Sequence, residues 1–193
     1  MRNLVMKTLS GDIAITPMQT HWCVVGEHKS GVTNVLKQIA VELCRNGALV
    51  FMCNANGCFD DLHKSDSITL FRCVDECVAA ANAVYARPDT TSDYVSLYIV
   101  IDDIDYVIEH NLLLLDGLHF LLNNGLCVNI CCILGKHYGT IDESNYHKIT
   151  MKCGSRIYLS ATEETAICEV SGKFYRTLNV HIPSIDLIRR LSE

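Results

Sequence analysis

Two hydrophobic rhythms alternate along this chain. Continuous apolar runs end in glycine or a polar tip: "HWCVVG" (21–26), "ALVFMCN" (48–54), "SLYIVIDD" (96–103) and "LCVNICCILG" (126–135). Such runs suit strands buried on both faces of a sheet. "SITLFRCV" (67–74) and "SRIYLS" (155–160) read as shorter strands. Between them the period changes. Val32, Val35, Leu36, Ile39 and Leu43 recur at helical spacing, with Asn34, Lys37, Gln38, Glu42 and Arg45 between them and Gly47 as a stop. The spacing predicts further helices over 74–87, closed by Pro88, and over a stretch ending at Asn124 before Gly125. Ser160-x-x-Glu163 has the form of a capping box opening a short helix. Residues 1–19 read as a preamble of two brief strands around a Ser-Gly-Asp turn. The segment 166–183 reads as a hairpin around Ser-Gly-Lys, and "PDTTSD" (88–93) as a surface loop. Strands separated by helices imply an α/β fold, a mostly parallel central sheet with helices on both faces. No internal repeat or low-complexity tract divides the chain, so a single domain over 1–193 is expected, with its core from 20 to 193.

Composition narrows the function classes. The 193 residues are 49% hydrophobic and 20% charged, enough for a substantial core. The net charge of −6, with 16 scattered Lys and Arg, lacks the basic stripe of a nucleic-acid tracker, so no direct nucleic-acid contact is expected. Of the 11 cysteines, Cys23, Cys53, Cys127, Cys131 and Cys132 lie in apolar runs and suit buried thiols in a reducing, cytoplasmic setting. Cys53, Cys58 and His63 match no strong zinc spacing, and no metal site is expected from them. "NLLLLDGLHFLLNNG" is broken by Asp116 and His119 and is too short to span a bilayer. A membrane link is expected only through a longer parent protein.

The chemistry concentrates in "CVVGEHKSGVTNV" (23–35). A phosphate-binding loop reads G-x-x-x-x-G-K-[ST]. Gly26, Gly31 and Thr33 fall in that register, with Glu27, His28, Lys29 and Ser30 as the loop and Val32 at the lysine position. Strand, glycine loop and amphipathic helix are the context such a loop requires, because backbone N–H groups and a helix N-terminus surround the phosphates. Thr33 is placed to put its hydroxyl on Mg²⁺. Valine offers no cation; one lost charge-assisted contact of about 1.5–3 kcal/mol weakens binding and removes the charge that meets the transition state. Lys29 lies three residues upstream and is expected to point to solvent. The second half of such a site is an acid at the tip of a neighbouring strand. "LYIVIDD" has that form, with Asp102 on the magnesium side and Asp103 where many ATPases hold a water-orienting glutamate; aspartate is one methylene shorter. The two acids could equally end a strand and cap a helix. His28 and His137 either face one cleft or are surface residues near strand tips. Arg156 serves either a phosphate, a neighbouring subunit or a structural ion pair.

The order of these parts resembles the FtsK/SpoIIIE-type ATPase motor domains, and among them the tandem cytosolic domains of EssC/EccC-type coupling proteins of bacterial type VII secretion. "HWCVVGEHKSGVTNVLKQIAVEL" is similar to that family's strand, loop and helix; "ALVFMCNANGCFDDL" to its next strand and polar tip; "LYIVIDDIDYVIEHN" to its acidic strand; and "KCGSRIYLS" to a late strand. The resemblance spans about residues 10 to 185 and implies a RecA/FtsK-like P-loop NTPase fold. Three positions depart from the pattern. Val32 replaces lysine, Asp103 replaces glutamate, and Leu134, Gly135 and Lys136 stand where a polar sensor tip, often Ala-Thr-Gln, is found. The resemblance therefore implies a catalytically silent member, with ATP and Mg²⁺ weak ligands at most. The family's silent domains are implied to recognise secreted protein substrates, regulate a neighbouring ATPase domain, or help an oligomeric motor assemble on the cytosolic face of a membrane. Open alternatives are a slow ATPase completed by a neighbouring domain, and a plain interaction domain that inherited the shape.

Overall fold

The computed structural model describes residues 4–8, 11–15, 20–55, 57–62, 67–86, 96–105, 112–138, 149–162, 165–170 and 172–178. The loop expected at 88–93, His63 and Glu163 lie outside the described residues. The strands are β1 (Leu4–Thr8), β2 (Gly11–Ile15), β3 (Trp22–Gly26), β4 (Leu49–Cys53), β5 (Ile68–Phe71), β6 (Leu97–Ile101), β7 (Ile130–His137), β8 (Ser155–Leu159), β9 (Thr165–Val170) and β10 (Lys173–Leu178). The longer helices are α1 (Val32–Arg45), α2 (Val74–Tyr85) and α3 (Leu112–Asn124).

All ten strands join one sheet in the order β2-β1-β10-β9-β8-β3-β7-β6-β4-β5. Strands β8, β3, β7, β6, β4 and β5 run parallel and form the body. The expected C-terminal hairpin is β9–β10, which continues the sheet antiparallel from β8. The N-terminal hairpin β1–β2 then pairs with β10, Thr8 opposite Thr177, so the preamble extends the central sheet.

Side-chain alternation divides the body into two apolar layers. On one face Trp22, Val24, Val50, Met52, Tyr98, Val100, Cys131 and Ile133 pack with Val32, Val35, Leu36, Ala40 and Leu43 of α1. On the other, Cys23, Val25, Leu97, Ile99, Ile101, Ile130, Cys132 and Leu134 pack with Val78 and Ala81 of α2 and Leu118, Leu121 and Leu122 of α3. Helices thus cover both faces, as the continuous apolar strands demand. Helix α1 ends in a Schellman turn. Gly47 takes φ +82°, its N–H donates to the carbonyl of Cys44, and the Ala48 N–H donates to that of Leu43. The polar residue Lys37 is buried, its ammonium 2.9 Å from Asp61 beyond β4.

Four local expectations need correction. The run 126–135 is not one strand: residues Gly125–Val128 form a 3₁₀ turn, and Asn129, at φ +60°, swings the chain into β7. The fold-back is tight, since a Cβ on Gly125 would lie 2.8 Å from the Ile130 carbonyl oxygen. At its other end β7 runs on to His137, so Leu134, Gly135 and Lys136 are strand interior rather than a tip. Strand β5 stops at Phe71, and α2 already starts at Val74. Ser160 opens no helix, because β9 begins at Thr165; its hydroxyl instead accepts from the Thr162 N–H at 3.2 Å, a local turn.

A buried histidine stitches three elements together. His21 precedes β3; its Nδ1 accepts from the Cys132 N–H at 2.9 Å, which fixes the proton on Nε2, and Nε2–H donates to the Leu122 carbonyl at 3.1 Å. Burial pulls its pKa from 6.5 to about 4, against the opposing pull of the Leu122 bond. Because the folded value lies below the unfolded one, the unfolded chain binds the extra proton between them. Stability is therefore full above about pH 6.5 and falls as pH drops toward about 4, by roughly 3 kcal/mol in all. Urea midpoints of the wild type and His21→Gln, compared from pH 7 to pH 4.5, should differ in slope, the variant being flatter; parallel slopes would contradict this role.

Candidate functional site

The carboxyl ends of the parallel strands form the rim on which ligands of open α/β sheets sit. Strand β3 delivers the glycine loop there. A Cβ on Gly26 would collide with the Ser30 hydroxyl and reach Leu159 at 3.0 Å, so only glycine lets the loop curl over the strand end. The Ser30 N–H donates to the Glu27 carbonyl at 3.0 Å. Lys29 at φ +67° and Gly31 at φ +95° supply the left-handed steps into α1. Among the described residues no side chain caps this end of α1, so its first N–H groups are left to the loop. The Ser30 hydroxyl is buried within the loop without a hydrogen-bond partner among the described residues. Outside contacts pin the loop: Glu27 Oε2 accepts from the Ala161 N–H at 3.1 Å, and the Gly26 carbonyl from the Tyr138 N–H at 2.8 Å.

Two of the expected ligand-side groups meet. Thr33 Oγ1 donates to Asp102 Oδ2 at 2.6 Å, and the Asp103 N–H donates to Asp102 Oδ1 at 2.9 Å. The acid-bearing strand is not the neighbour of β3, however. Strand β7 lies between β3 and β6, so Asp102 reaches Thr33 across β7. Gly135 makes that possible: a Cβ there would stand 2.7 Å from Asp102 Oδ1, 2.7 Å from Leu36 Cδ1 and 3.2 Å from Val32 Cγ1.

The other expected residues separate. Val32, at the lysine position, is 1% exposed and belongs to the apolar layer beneath α1. Lys29 is exposed, as expected of a residue aimed away from the loop interior. Asp103 takes φ +52°, a left-handed conformation that aspartate tolerates, and its carboxylate makes no hydrogen bond among the described residues. Lys136 falls on the strand side of Leu134, away from α1, and is buried. Arg156 is a structural residue: it faces Glu169 across β8–β9, pairs with it at 3.1 Å and donates to the Thr150 carbonyl at 3.2 Å. Tyr158 adds a hydrogen bond to the same carboxylate at 3.3 Å.

The tip beside Asp102 is His137, which the sequence pattern did not join to the acid. Its Nε2 lies 3.8 Å from Asp102 Oδ1. His28 and His137 do share one cleft, ring centres 6.2 Å apart and edge to face. The pairing of Gly26 with His137 in the β3–β7 register places both there, a long-range relation that local spacing leaves open.

No family model matches the chain, and no curated protein matches it. Solved structures do. The conjugation coupling protein TcpA of pCW3, in a monomer form with ATPγS, superposes with a TM-score of 0.76 at 14% identity, covering 98% of this chain and 70% of TcpA. ATPases 2 and 3 of Thermomonospora curvata EccC, in complex with a signal sequence peptide, give 0.70 at 12% identity over 92% of this chain. ATPases 2 and 3 of Geobacillus thermodenitrificans EssC give 0.72 at 9% identity over 99%. The chain has an FtsK/SpoIIIE-like P-loop ATPase fold. It spans 26% to 47% of the matched EccC and EssC chains. Among the described residues no helix is long and apolar enough to cross a membrane.

The bare position on β7 is testable. Gly135→Ala should lower stability by about 1–3 kcal/mol, as overpacking does, because Asp102, Leu36 and Val32 all converge on the added methyl. Thermal and urea denaturation measure it; an unchanged midpoint would show that the cleft yields freely.

Proposed function

We propose that this chain is a non-hydrolysing ATPase-like domain of a type VII secretion coupling protein, acting through protein contacts. The observation that carries the reading is Val32. The position that supplies the phosphate-bridging cation in a P-loop instead presents two methyl groups to the core. Asp103, one methylene short of a water-orienting glutamate and held in left-handed backbone, gives no replacement base. Thr33 and Asp102 fit the magnesium side of a nucleotide site: they would hold the ion, which would supply positive charge to offset that of the phosphates. The phosphate side, without its lysine, does not fit, and no hydrolytic step follows from this set of residues.

The likeness to EssC and EccC domains supports secreted proteins and neighbouring ATPase domains as partners, and the EccC complex with a signal sequence peptide favours substrate recognition over a purely architectural role. Residues 1–193 act in this reading as a single domain on the cytosolic face of the membrane, joined to it by the parent protein. The retained Thr33–Asp102 pair favours one second reading: slow turnover completed by a cation from a neighbouring domain in an oligomeric motor.

A ligand at a hundred times its Kd adds about 2.7 kcal/mol of stability. Millimolar Mg²⁺–ATP should produce a much smaller shift, with no phosphate release above background. A large shift together with turnover would reject the silent reading. In the assembled parent protein, Thr33→Ala and Asp102→Asn should leave ATP turnover unchanged; its loss in both would establish the second reading instead.

A further inference from the structure

The sheet face beneath α2 and α3 runs on past β3 to β8, β9 and β10. Residues paired across neighbouring strands share a face. Cys23, in the apolar layer under those helices, is paired with Arg156, Arg156 with Glu169, and Glu169 with Phe174. Two residues along β3, Val25 is paired with Tyr158, Tyr158 with Ile167, and Ile167 with Arg176. The layer ends at Tyr158, which packs against it; Ile167 is half-buried and belongs to neither apolar layer. At the centre of this shelf the Glu169 carboxylate accepts from Arg156 at 3.1 Å and from Tyr158 at 3.3 Å. Arg156 also donates to the Thr150 carbonyl, which ties the turn before β8 to the shelf. Met151, next in that turn, is 65% exposed, and Phe174, opposite Glu169, is 66% exposed. They are the two most exposed large apolar side chains among the described residues.

We propose that this shelf docks a partner protein, and that its occupant is an acidic segment carrying apolar anchors. Methionine, arginine and aromatic side chains around a fixed polar centre are the residue types enriched in protein interfaces. Charge selects the partner. Arg156 and Glu169 offset each other. Lys152, next to Met151, and Arg176, two residues beyond Phe174, leave the described part of the shelf positive in a chain of net charge −6. An isologous pair of copies would set two positive shelves against each other. Nucleic acid or an anionic bilayer would meet the overall negative charge of the chain. An acidic protein segment matches the shelf locally, with carboxylates toward Lys152 and Arg176 and apolar side chains over Met151 and Phe174. The inference rests on the reading that the domain acts through protein contacts, and not on the state of the cleft.

The probe is a capped, fluorescein-labelled peptide of about twelve residues, with Glu interspersed among Leu and Phe. The 193-residue chain is titrated into it and binding is read by anisotropy. Binding should weaken at least about tenfold between about 50 and about 300 mM salt, and again when Lys replaces each Glu. Met151→Ala and Phe174→Ala should each weaken it about fivefold or more. Lys152→Glu combined with Arg176→Glu should reverse the preference between the two peptides. Met151→Ala and Lys152→Glu, both at exposed positions, decide the matter if the β10 variants lose their native circular dichroism. Absence of saturable binding, equal binding of both peptides, or equal affinity in the folded variants would overturn the proposal. Dimerisation or binding to phosphatidylserine vesicles that Met151→Ala abolishes would assign the shelf to a second copy or a membrane instead. Mg²⁺–ATP turnover would reject the silent cleft and leave the shelf standing, whereas failure of the peptide would remove the shelf and leave the silent cleft.

Discussion

The absence of a side chain at Gly135 is the constraint on which the rest of the cleft depends. Strand β7 separates the loop-bearing strand from the acid-bearing one, and the first turn of α1 must lie against it. Leu36, Val32 and Asp102 all crowd the space that a Cβ would take. With that space open, the α1 N-terminus settles onto the sheet and the Thr33 hydroxyl reaches the Asp102 carboxylate at 2.6 Å. A larger residue would push helix and strand apart and dissolve the contact between the two halves of the site.

The same packing accounts for valine at position 32, beneath the first turn of α1. A charged side chain there needs an anionic partner to offset its burial, whereas valine joins the apolar layer with no such demand. The loop is held from outside, by the Ala161 N–H on Glu27 and the Tyr138 N–H on the Gly26 carbonyl. The thiols follow the same logic. Burial pushes Cys44 up to about 11 and Cys58 and Cys132 to about 12, so they remain neutral thiols. Cys23, Cys53, Cys131 and Cys132 fill the layers as small hydrophobes, as their places in apolar runs suggest, whereas Cys127, expected to be buried, is exposed because its segment forms the 3₁₀ turn before β7 rather than a strand.

Much of the architecture was legible because it is written in local spacing. Val32, Val35, Leu36 and Leu43 mark the buried face of α1, and Gly47 ends it at the left-handed position a helix terminus favours. The strands β3, β4, β6 and β8 fall within their apolar runs. Two of the misreadings share one source. In 125–137 an apolar run hides a 3₁₀ turn followed by a strand, and hydrophobicity does not separate them; the decision lies with Asn129 and the fold-back at Gly125. Lys37 stands among the polar residues between the apolar positions of α1, and its burial is not legible there because its partner, Asp61, lies beyond the next strand.

The sequence by itself determined the two-layered α/β design, the glycine loop with valine at its lysine position, and the acid pair ending β6. Each depends on residues within one or two turns of each other, where backbone conformation and side-chain period decide. Only the tertiary structure decided that β7 inserts between β3 and β6, that the N-terminal hairpin joins the C-terminal one, that Arg156 pairs with Glu169, and that His137 stands beside Asp102 and His28. Those relations are set by strand order and register, which come from packing both faces of the sheet at once.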